Sequence, residues 1–250
     1  MEKTIDAGDV LWSESDQVHG TNRGVHRRNV SLPTRTVLSI LLVLGAAPSC
    51  TDRGISISYS PTFDTACSVI RGARIKDQWK TELVSRLPEF RRLWERTGPK
   101  MLAEAEELTG LHAPASATAR LTLCNLPSQS FLGVSVNMRF ALGSFTSEPV
   151  PLRYKVDTLF HELLHRMLAR HVEARSPLLA AHSGEPECVK NHLHLLALQK
   201  AVLLKLDESR ELDDVVRVDG QLPGGCYKRA WTLVNASDSQ YLAFVAEIRK

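Results

Sequence analysis

The sequence has no stretch approaching the ~18 apolar residues that a membrane-spanning helix needs. It also has no C-x-x-C pair, no internal repeat and no low-complexity tract. Charge of one sign is nearly balanced: 31 Lys and Arg against 28 Asp and Glu leave a formal charge of +3. The basic residues are not gathered into a stripe, so phosphate tracking has no footprint and no nucleic-acid partner is expected. Aromatics are sparse at 6%, yet 43% hydrophobic and 24% charged residues exclude disorder of the whole chain. The part after position 50, about 200 residues, is long enough to bury a core without metal or disulfide staples.

Residues 1–35 show neither helical nor strand periodicity and carry Arg27, Arg28 and Arg35. Val37 to Ala47 (VLSILLVLGAA) is then a mostly apolar run of the length of a signal-peptide core, followed by Pro48, Ser49 and Cys50. The order basic, apolar, small predicts a leader over 1–49 and a single domain over 50–250. A short buried core helix is the alternative, and a start codon placed too early would account for the residues ahead of Arg27. Cys50 resembles the lipid-acceptor cysteine of bacterial lipoproteins, which implies membrane anchoring through a lipid. Export to the periplasm, as a free or anchored protein, or secretion is the expectation. Without Cys50, Cys67, Cys124, Cys188 and Cys226 remain, an even number that suits two disulfides in an oxidising compartment. Spacing leaves their connectivity open, and buried free thiols are the alternative.

Ile55–Tyr59 alternates as a strand does, and Trp79, Leu83 and Leu87 mark one helix face over Asp77–Leu87. Pro88 should kink or restart that helix, and Gly98-Pro99 should separate helical pieces over Glu89–Thr97 and Lys100–Leu108, with Gly110 as a stop. Ala119–Leu123 and Gly133–Phe140 read as strands of a small sheet. Helical period returns over Tyr154–His171 and over Glu187–Leu206. Val215–Val218 reads as a short strand, Gly220 and Gly224-Gly225 as turns, and Tyr227–Val234 and Gln240–Ile248 as helices. The fold class expected is α+β.

His161-Glu162-Leu163-Leu164-His165 carries the chemistry. Histidines at i and i+4 lie one turn apart on one helix face, so both imidazoles can reach a single Zn²⁺ at about 2.0–2.1 Å. Glu162 is rotated about 100° from His161, on the rim of that face, where its carboxylate can serve water without ligating the ion. With nine His and sixteen Glu in 250 positions, random order produces this pattern in only about 2% of such chains. The H-E-x-x-H motif resembles that of the zinc metallopeptidases called zincins. The resemblance implies a small sheet followed by an active-site helix and a ligand-bearing second helix, a Zn²⁺ cofactor, and peptide or protein substrates.

The third ligand sorts these enzymes. His171 has the metzincin spacing, but Leu168 stands where that family has Gly, and no methionine follows Met167 to make its Met-turn. The gluzincin arrangement fits better, with Glu185 favoured by spacing and Glu187 by its register with Asn191 at i+4. His192 and His194 extend the choice; His194 shares the stripe of Glu187 and Asn191, as a ligand or as a catalytic donor to a developing oxyanion, while His192 points to the opposite side. Tyr227 and Tyr241 are candidate phenolic donors. The reading is an exported zinc metallopeptidase with Glu162 as general base, the alternative a non-catalytic envelope lipoprotein or binding module with a structural or decayed metal site.

Overall fold

In the computed structural model residues 54–72, 74–131, 133–169, 171 and 176–249 are described. The expected leader over 1–49 and Cys50 lie outside them. β1 (Gly54–Tyr59), β2 (Ser116–Thr122) and β3 (Val134–Asn137) form a parallel sheet in that order, with Ile57 opposite Ala119 and Leu121 opposite Val136. One face of β2 is buried, through Ala117, Ala119 and Leu121, while Ser116, Thr118 and Arg120 between them are exposed, and Val134 and Val136 of β3 are wholly buried. β3 is shorter than its alternating sequence predicts. Asn137 ends it: its side-chain carbonyl accepts from the Arg139 N–H at 3.0 Å while its amide donates to the Cys124 and Leu126 carbonyls. Such a side chain offers the backbone a turn in place of the ladder, and a 3₁₀ turn over Arg139–Ala141 follows.

Helix α1 (Pro61–Arg71), which periodicity did not predict, is capped by Ser60, whose hydroxyl accepts from the Phe63 N–H at 3.2 Å. Its buried Asp64 accepts from the Thr122 hydroxyl at 2.5 Å and from the Leu123 N–H at 3.0 Å, which ties the helix to the end of β2. A disulfide between Cys67 and Cys124 closes the same junction.

Helix α2 (Asp77–Thr109) is one continuous helix through Pro88, Gly98 and Pro99, where the sequence predicts breaks. An interior proline costs ~3 kcal/mol. The apolar stripe explains why the helix survives two: Trp79, Leu83, Phe90, Trp94, Met101, Leu102 and Ala105 keep one register and are all buried. Gly98 belongs to that stripe. A Cβ there would meet the Trp94 ring at 2.5 Å, so the glycine makes room for an indole and does not stop the helix.

The second half is helical: α3 (Leu152–Leu168), α4 (Pro177–Ala181), α5 (Glu187–Lys205), α6 (Ser209–Asp219), α7 (Cys226–Val234) and α8 (Asp238–Ile248). α5 is its axis, packed against α2, α3, α6, α7 and α8. Its run Leu193 to Leu198 is buried all round, as a helix surrounded by others requires. The strand expected at Val215–Val218 is instead part of α6. Its valines are spaced so that Leu212, Val215 and Val218 share the buried side of a helix, and tertiary burial overrides the β-preference of valine. The turn at Gly224-Gly225 is as expected, with φ of 83° and 71°, which only glycine adopts without strain. The architecture is α+β, helix-rich with a small parallel sheet, and no described helix is long and apolar enough to cross a membrane.

Gly98→Ala tests the packing account. Helix propensity alone favours alanine by about 1 kcal/mol, whereas overpacking against Trp94 costs about 1–3 kcal/mol. The expected net result is a lower urea midpoint with an unchanged slope; a raised midpoint would return Gly98 to the role of a mere weak spot in the helix.

Candidate metal centre

α3 and α5 meet along a face that carries three imidazoles. His161 and His165 come from α3, one turn apart, with ring centroids 4.8 Å from each other. His192, from the second turn of α5, lies 5.5 Å from His161 and 5.1 Å from His165. One nitrogen of each ring falls within 4.8 Å of the others. Nitrogens bound at 2.0–2.1 Å to one tetrahedral ion are about 3.4 Å apart, so small inward shifts of the rings would complete the coordination.

The hydrogen bonds behind the rings decide which nitrogens are free. His192 Nδ1 lies 2.6 Å from the Cys188 carbonyl oxygen. A carbonyl only accepts, so Nδ1 carries the proton and Nε2 offers a lone pair. His161 Nδ1 lies 3.1 Å from the Gln199 side-chain carbonyl oxygen, and the Tyr227 hydroxyl lies 3.3 Å from Nε2. The network therefore assigns the Nδ1–H tautomer to His161 as well. A partner that orients the ring from its far nitrogen is the usual support of a metal-binding histidine. Gln199 and His192, at i+7 on α5, both face α3.

Burial holds all three rings neutral. Desolvation carries His161 well below the ordinary imidazole range, with the neighbouring His165 and His192 adding to the effect, and pulls His165 down to about 4. His192 is lowered for the same reason, against the pull of its bond to Cys188. Three neutral imidazoles, one buried and two half-buried, with a nitrogen of each close to the others, suit a borderline divalent metal such as zinc, and the residues fit that group on the chemistry of the donor set.

Glu162 sits next to this cluster, 4% exposed, on the wall of a cavity of about 150 Å³ that His161, Gln199 and Tyr227 also line. It makes no hydrogen bond or ion pair with any described residue. Burial pushes its carboxyl up to about 8. Tyr227 is also desolvated, and burial raises its phenol above its ordinary range, with the Glu162 and Asp219 charges adding to the rise.

The other residues expected at the site stand elsewhere. Glu185 is ion-paired with Arg229 beside α7, and Glu187 at the start of α5 pairs with Lys190 at 2.8 Å. His194 Nε2 lies 2.5 Å from a Glu247 carboxylate oxygen, with its ring edge-on to Phe244, so it serves the packing of α5 on α8. His171 lies in the turn after α3, its N–H donating to the Leu168 carbonyl at 2.9 Å. Tyr241 lies under the Lys200 ammonium at 4.3 Å. The third group beside His161 and His165 that could hold an ion is thus His192, while Glu185, Glu187 and His194 have partners elsewhere, because the face of α5 turned to α3 carries residues 192 and 199. The His192–Gln199 spacing of seven was a legible signal for one helix face; which face met α3 was not. The disulfide Cys188–Cys226 joins the start of α5 to the start of α7, one turn before His192 and one residue before Tyr227.

No family model matches this chain, and no curated protein or solved structure matches it either.

These placements separate the candidates by experiment. With Zn²⁺ as the probe ion in competition with a chromophoric chelator, Gln199→Ala should weaken binding about 10–100-fold, and His192→Ala by more. Glu185→Gln and Glu187→Gln should leave it unchanged. Loss of zinc in either glutamate variant, with His192→Ala unaffected, would reinstate a carboxylate as third ligand.

Proposed function

We propose that the chain is an exported zinc-dependent metallopeptidase with a zincin-like arrangement of active-site helix α3 and ligand helix α5. The observation that carries this reading is Glu162, an unpartnered buried carboxyl in a cavity wall beside three converging imidazoles. Zn²⁺ held by His161, His165 and His192 would supply a Lewis acid for a peptide carbonyl and would acidify water. As general base, Glu162 would take a proton from water as the water oxygen bonds to the peptide carbonyl carbon, and would return it to the amide nitrogen as the C–N bond breaks. Tyr227 donates its phenolic hydrogen to the carbonyl oxygen as negative charge develops there. Gln199 and the Cys188 carbonyl keep His161 and His192 in the tautomer that leaves Nε2 available.

Export and removal of the leader over 1–49 belong to the same proposal, with Cys50 as the candidate lipid anchor. The pairs Cys67–Cys124 and Cys188–Cys226 support it, since disulfides persist in oxidising compartments. A binding module with a closed metal site is the second reading, and one observation favours it: the Tyr227 hydroxyl, 3.3 Å from His161 Nε2, is near enough to close a fourth position.

Glu162→Gln decides between them. The substitution keeps size and hydrogen bonding but removes the proton acceptor, so zinc content should persist while turnover of a peptide library falls about 10²–10⁴-fold. Equal cleavage by both proteins, or no cleavage by the zinc-loaded wild type, would favour the module.

A further inference from the structure

The cavity that Glu162 lines extends toward the start of α3, and Lys155 is part of its wall. Lys155 is 7% exposed. It makes no hydrogen bond or ion pair with any described residue; the Tyr154 ring centroid lies 5.3 Å from its Nζ. Besides Glu162, two carboxyls line the same cavity, and both already have hydrogen-bond partners. Asp219 accepts the Tyr154 hydroxyl at 2.8 Å on one oxygen and the Trp231 indole N–H at 2.9 Å on the other, and Asp157 is held by Arg153 at 2.9 Å. An ammonium has three hydrogens to donate, and here it has no acceptor for them among the described residues and opens only onto the cavity. Desolvation draws Lys155 down to about 8 with Asp219 opposing, so it remains charged at neutral pH.

Register sets the distance. Lys155, Thr158 and Glu162 stand at i, i+3 and i+7, one stripe of α3, and all three line the cavity. Seven residues of helix span about 10.5 Å. An extended peptide advances about 3.3–3.6 Å per residue, so two residues plus one hydrogen bond of about 2.8 Å come to about 9.4–10.0 Å, close to that backbone span. We propose that Lys155 is the carboxylate-binding group of this cavity, selecting substrates that carry an anionic group about two residues from the carbonyl presented to Glu162. This deepens the peptidase reading and rests on it. The carboxylate is either the free C-terminus of a short peptide or an acidic side chain, and both have the chemistry that an ammonium recognises.

The test uses binding. A malonyl-hydroxamate-capped Leu-Ala with a free C-terminus, its C-terminal amide, and the amide with Glu in place of Ala are titrated calorimetrically into the zinc-loaded chain, and into Lys155→Met and Lys155→Arg. In the wild type at least one of the two carboxylate probes should bind about tenfold more tightly than the neutral amide, as a charge-assisted hydrogen bond implies. The better of the two identifies terminus or side chain. Lys155→Met should abolish the preference and leave the neutral amide unaffected, and Lys155→Arg should retain most of it. Equal binding of all three probes by the wild type, or a preference that survives in Lys155→Met, overturns the proposal. If circular dichroism shows Lys155→Met unfolded, the wild-type comparison and Lys155→Arg decide. Failure of the peptidase reading looks different: no peptide is cleaved, while the carboxylate preference remains.

Discussion

Where α3 packs on α5, His161 and Glu162 are withdrawn from water with His165 and His192 half-buried beside them, and the rest of the site depends on that desolvation. Burial keeps the rings neutral, with Nε2 lone pairs available on His161 and His192, and it pushes the Glu162 carboxyl up to about 8. A displacement of that size from the ordinary carboxyl value corresponds to roughly 5 kcal/mol against the charged form. The sign is clear: above the unfolded carboxyl's range the unfolded chain gains from ionising and the buried group does not, so the arrangement costs stability that grows as pH rises toward 8. A divalent cation among the lone pairs reverses the balance, because it favours the carboxylate and occupies the lone pairs at once. The face is poorly suited to being left as it is and well suited to holding an ion.

The surrounding structure fixes that face from behind. Gln199 and the Cys188 carbonyl set ring orientation, and the Cys188–Cys226 disulfide holds α5 and α7 so that His192 and Tyr227 approach the same volume, with ring centroids 4.5 Å apart. The small sheet acts at a distance: β3 packs on α3, and α2 packs on both α3 and α5. The long helix crosses two prolines because its stripe is buried along its length, and it packs behind the two helices that carry the histidines.

Much of this was legible in the sequence. The 3.6-residue period placed α3 and α5 to within a few residues, and the H-E-x-x-H spacing placed His161, Glu162 and His165 on one side of a helix. The illegible part was rotational and tertiary. Periodicity finds a helix but cannot say which face of an all-round apolar helix such as α5 meets which neighbour, and so Glu187 and His194 competed with His192. The acidic candidates were claimed by cations, Arg229 and Lys190, that spacing could not pair with them. In α6 the valines suggested extended backbone, and in α2 the prolines suggested ends, because both readings weigh local preference without knowing how much surface will be buried. Lys155 was invisible for the same reason: a lysine in a helix reads as solvated until its surroundings are known.

The central claim, a divalent ion held by three histidines of α3 and α5, is tested most directly by X-ray absorption at the zinc edge on the purified, zinc-loaded chain. The account predicts three imidazole nitrogens at about 2.0–2.1 Å with one further light atom and no sulfur. Two imidazoles with carboxylate oxygen completing the protein ligands, or sulfur at about 2.3 Å, would contradict it.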